Sequence, residues 1–111
     1  MKTFRTLGAT NSPSVNVSTK GADIKTVNMV NRTASILFVK FYDQSVATFQ
    51  DTPVITFEIP ASQSLSYGWI SGLDAVFSTT NGLCIRAVTG NLDNDNSAPA
   101  TTPIIEIGYN Y

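Results

Sequence analysis

The sequence predicts an all-β fold: an antiparallel β-sandwich of about eight strands, jelly-roll or immunoglobulin-like in its wiring. Three observations carry this. Short runs rich in Val, Ile, Phe, Tyr and Thr recur about every ten residues. No window of a dozen residues has apolar positions at helical spacing with a cap at each end. All five prolines, Pro13, Pro53, Pro60, Pro99 and Pro103, lie between runs or at their ends, where the missing N–H disturbs no ladder.

The runs follow in order. Ser14–Ser18 alternates, and Ile24–Val30 is β-branched and stops at Asn31. Ala34–Tyr42, ASILFVKFY, is the strongest strand signal in the chain. Val54–Ile59 is bounded by Pro53 and Pro60, and Ser64–Tyr67 alternates up to Gly68. Leu73–Thr79 and Gly82–Thr89 flank Asn81-Gly82, a dipeptide suited to a type I′ turn, so a hairpin is expected there. Ile104–Tyr109 closes the set. Residues 1–13 are polar and read as an N-terminal arm; residues 14–111 read as one domain.

Alternation sorts the side chains. Val39, Phe57, Ile59, Phe77, Leu83, Ile85 and Ile107 are the expected core. Ala34–Tyr42 is apolar on both faces: Leu37, Val39 and Phe41 on one, Ile36, Phe38, Lys40 and Tyr42 on the other. The second face therefore needs a cover, either the N-terminal segment or another subunit.

Composition narrows function. Charged residues are 14% of the 111 and the net charge is −1, which gives no electrostatic reason to bind nucleic acid or an acidic membrane. No run approaches the length of a membrane-spanning helix. Histidine is absent, removing the commonest general base and metal ligand. The N-terminus shows no apolar signal region, so synthesis in a cytoplasm is expected.

The remaining chemical candidates read as structural. Cys84 lies between Leu83 and Ile85, where a small buried hydrophobe is expected rather than a nucleophile. Asp93-Asn94-Asp95-Asn96-Ser97 has the oxygen spacing of a calcium loop, but Ala98 and Ile104 stand where Gly and Glu are required. No pair of the eight acids is singled out for glycosidase chemistry. Tyr67 and Trp69, on a Gly-flanked loop, suit a sugar ring, the end of a core or a subunit contact. No catalytic residue, metal site or cofactor is expected. The candidate interface residues are Ile36, Phe38, Tyr42, Tyr67, Trp69 and Tyr109.

Several segments carry a resemblance. Asn31-Arg32-Thr33-Ala34-Ser35 precedes Phe38-Val39-Lys40-Phe41-Tyr42-Asp43, and Asp51-Thr52-Pro53-Val54-Ile55-Thr56-Phe57-Glu58-Ile59-Pro60-Ala61 follows. Then come Phe77-Ser78-Thr79, Gly82-Leu83, the Asp93/Asp95 loop, and Ile105, Ile107 and Tyr109. Together, over roughly residues 24 to 109, this resembles small structural proteins of tailed bacteriophages, such as capsid decoration (cement) and other virion-surface proteins. Thr80-Asn81 and Tyr67-Gly68-Trp69-Ile70 depart from the pattern. The resemblance implies a β-sandwich, often trimeric, without catalytic residues. It implies a virion location, the major capsid protein as partner, and stabilisation of the outer shell. A carbohydrate-binding or receptor-binding module, like a tail-fibre tip, is the alternative.

Overall fold

A computed structural model describes residues 2–6, 14–68 and 75–111. It is a β-sandwich: nine strands among the described residues, in two antiparallel sheets that pack together. The strands are β1 (Lys2–Thr6), β2 (Val15–Ser18), β3 (Asp23–Val30), β4 (Leu37–Tyr42), β5 (Ile55–Ile59), β6 (Ser64–Tyr67), β7 (Phe77–Ser78), β8 (Leu83–Val88) and β9 (Ile104–Asn110). The five-stranded sheet runs β1-β9-β3-β6, with β7 also on β3; the four-stranded sheet runs β2-β8-β4-β5.

The core between the sheets follows the alternation. Ile24, Val27 and Met29 of β3 and Ile105, Ile107 and Tyr109 of β9 meet Val39 and Phe41 of β4, Phe57 and Ile59 of β5, and Leu83, Ile85 and Ala87 of β8. Of the expected core residues, all are buried except Phe77, which packs against the cluster half-buried. Phe41 meets Phe57 and Phe77 edge-on, with ring centroids 5.4 and 5.3 Å apart, an arrangement that aligns positive ring edges with negative faces.

Residues 2–6 of the expected arm form an edge strand against β9, from Lys2 opposite Tyr109 to Thr6 opposite Ile105. Residues 7–13 of the arm lie outside the described residues. The strand expected from Ala34 starts at Leu37 because Asn31 holds the preceding turn. Its Oδ1 accepts from the Thr33 N–H and hydroxyl at 2.9 and 2.7 Å. Its Nδ2 donates to the carbonyls of Ser35, Ile59 and Pro60 at 2.7–3.1 Å. One buried amide thus fastens the β3–β4 turn to the β5–β6 turn.

The Asn81-Gly82 hairpin is not formed. β7 pairs with β3 in one sheet, while β8 pairs with β2 and β4 in the other, so the segment crosses between sheets. Gly82 serves a close approach instead: a Cβ there would lie 2.6 Å from the Ser45 amide nitrogen. Asp43 Oδ1 accepts the N–H groups of Thr80 and Asn81 at 2.9 and 2.6 Å and fixes the crossing.

Candidate interaction surfaces

Loops of this chain cover the second face of β4 at Lys40 and Tyr42, while Ile36 stays exposed and Phe38 half-buried. Register places Phe38, Lys40 and Tyr42 opposite Val88, Arg86 and Cys84 on the outer face of the four-stranded sheet. All six positions of β8 are buried. Ala47, from the loop between β4 and β5, packs on Tyr42 and Cys84. The loop after β8 covers Lys40 and Arg86, both 0% exposed.

These two cations lie side by side, where like charges repel. The loop meets them with backbone and side-chain oxygens. Lys40 Nζ donates to the Leu92 carbonyl. Arg86 donates to the Asp95 carbonyl and Asn96 Oδ1, each at 2.9 Å, and to the Tyr42 hydroxyl at 2.8 Å. Burial and then Arg86 push the Lys40 pKa down, while Asp95 and Asp93 oppose that shift. Asp95 itself accepts the Ser97 hydroxyl and, at 2.9 Å, the Ser97 N–H. Those bonds hold its carboxyl below the usual range. Burial pushes both the Tyr42 phenol and the Cys84 thiol up, which disfavours the thiolate that Cys chemistry requires.

The outer face of the five-stranded sheet is open and polar. Around Gly108 lies a shallow depression of about 400 Å³, lined by Thr3, Arg5, Thr26, Asn28 and Glu106 among others. Arg5 Nε and Glu106 Oε2 are 3.8 Å apart. Asn28 donates to Glu106 at 3.4 Å and accepts from the Ser66 hydroxyl at 2.7 Å.

The expected interface residues separate into three groups. Ile36 and Tyr67 are exposed, 45% and 42%, and Phe38 is half-buried. Tyr42 and Tyr109 are instead interior, a correction to the interface reading. Tyr42 lies under Ala47 and beside Arg86. Tyr109 joins the core, and its hydroxyl donates to the Val17 carbonyl at 3.3 Å. Trp69 lies outside the described residues. Sequence reading passed over Lys40 and Arg86, although a cation inside LFVKFY and another inside LCIRAV are a signal that an oxygen-rich segment must meet them.

Val46, Phe49, Val54 and Leu92 are further exposed apolar side chains. All belong to the two loops over the four-stranded sheet. No group of three or more His, Cys, Asp or Glu placed to hold a metal occurs among the described residues. No known protein family, curated protein or solved structure matches the chain.

Proposed function

We propose that the chain is a non-enzymatic structural protein of a tailed-phage virion, which binds the major capsid protein on the outer shell and also associates with itself. The sequence resemblance supplies the setting. The observation that carries the reading is Val46, Phe49 and Leu92 exposed on the loops over one sheet. Exposed apolar side chains on a charge-poor chain suit burial against a protein partner. Many copies on a lattice gain avidity even where each contact is weak.

Purified protein mixed with undecorated particles, with bound copies counted, tests this. Phe49→Ser combined with Leu92→Ser is expected to cut bound copies severalfold while circular dichroism stays unchanged. Full binding by that variant refutes the loops as the contact, and no binding by the unmodified chain refutes the reading.

The depression around Gly108 favours carbohydrate binding as a second reading. A guanidinium, an amide and a carboxylate there are planar groups that pair with adjacent sugar hydroxyls. Binding to immobilised glycans, lost in Asn28→Ala, distinguishes it.

A further inference from the structure

Among the described residues five strands lie at sheet edges, and four carry features that discourage further pairing; one of these, β7, is only two residues long. β1 carries Lys2 and Arg5. β2 is broken by a register shift between Asn16 and Ser18. β6 is four residues long, with serine at two of them. β5 differs. It is ITFEI, β-branched and aromatic, with one charge, and its register against β4 runs unbroken over five pairs. Among the described residues β4 is its only strand partner.

Two exposed apolar side chains border this edge. Val54, 52% exposed, immediately precedes β5. Tyr67 stacks obliquely on Phe57 of β5, with ring centroids 5.0 Å apart.

We infer that β5 is a dimerisation edge, pairing antiparallel with β5 of a second copy about a two-fold axis at Phe57. The strand is self-complementary in that register. Ile55 meets Ile59 of the second copy, Phe57 meets Phe57, and Thr56 meets Glu58. The outward positions, Thr56 and Glu58, set a hydroxyl against a carboxylate twice, and no carboxylate faces another. Pairing joins the two four-stranded sheets into one continuous sheet and sets Val54 of each copy opposite Pro60 of the other at its ends. The contact is isologous and closes as a dimer, in place of the trimer that the sequence resemblance implies. The inference gives the geometry of the self-association proposed above; shell binding stands apart from it.

Charge reversal tests the register. Thr56→Glu sets two carboxylates opposite one another at two symmetric places. It is expected to weaken dimerisation roughly tenfold or more. Adding Glu58→Lys to that variant restores opposite charges and is expected to recover the dimer. Sedimentation equilibrium reads the result against the 11.9 kDa chain, with circular dichroism confirming the fold of each variant. A wild-type monomer up to the solubility limit overturns the inference. So does an oligomer indifferent to Thr56→Glu, or one that the double variant fails to restore. Particle binding by a monomeric Thr56→Glu variant leaves the shell reading intact.

Discussion

The two sheets solve the same problem in opposite ways. Each has an inner face in the common core and an outer face left over. On the five-stranded sheet the outer face is built for water: Thr26, Asn28 and Glu106 alternate with buried Val27, Ile105 and Ile107. On the four-stranded sheet the outer face is roofed over β8 and the adjoining part of β4, and β8 has no exposed position. A strand that reads apolar on both faces therefore need not announce a partner chain. A polar loop of the same chain supplies the cover when it can offer carbonyl oxygens to buried cations.

Five measurements sharpen or break this contrast. Phe57→Ala removes a ring shared by both sheets and is expected to cost about 3–5 kcal/mol in denaturant unfolding; a negligible loss breaks the assigned register. Arg86→Ala strips the roof of its anchor and strands the Tyr42 hydroxyl and the Asp95 carbonyl. A loss of about 2–3 kcal/mol is expected, whereas Lys40→Met, which loses the bond to the Leu92 carbonyl but removes a buried ammonium and its repulsion from Arg86, is expected to stay within about 1 kcal/mol. Asn28→Ala on the open face is expected to move stability by no more than about 0.5 kcal/mol. If Asn28 and Arg86 cost the same, the contrast between the faces fails.

Acid supplies the fifth measurement and the smallest effect. The Asp95 carboxyl is held below its ordinary value by the Ser97 hydroxyl and N–H. A depressed folded-state pKa contributes stability that is present above the ordinary aspartate range and is lost as pH falls through the folded value. Hydrogen exchange at residues 90–97 is expected to accelerate there before exchange in β3 and β9. The Asp95→Asn variant is expected to abolish that pH dependence.

Much of this was legible in the residues. Short β-branched or alternating runs, with the prolines and turn residues that bound them, located β2, β3, β5, β6, β8 and β9 to within a residue or two, and alternation identified the inner faces. β1 escaped because Lys2–Thr6 offers only one apolar side chain, Phe4, to the core; backbone pairing places it, and backbone pairing leaves little trace in side-chain identity. Asn81-Gly82 misled because a glycine required by a neighbouring loop looks like a glycine required by a turn. The roof escaped for a related reason. Its grip on Lys40 and Arg86 is mostly through carbonyls, which every residue carries, so the oxygen spacing of Asp93–Ser97 points to a calcium loop rather than to a seat for two cations. At the surface, Ile36 and Tyr67 were foreseeable as exposed apolar positions, while Tyr42 and Tyr109 show that an aromatic in a polar context is as readily interior.

The order of the strands has a consequence in time. Among the described strands, only β4 and β5 are both consecutive in the chain and paired. Every other ladder joins distant segments, and β9 is the inner neighbour that links β1 to β3. A growing chain therefore has one local hairpin to form early, and it cannot close its larger sheet until the last strand leaves the ribosome. Such a topology places folding in the millisecond-to-second range. Until then the ITFEI segment and the half-built core stand open to neighbouring nascent chains. Any aggregation is expected to be set by synthesis rate and temperature more than by the stability of the finished molecule.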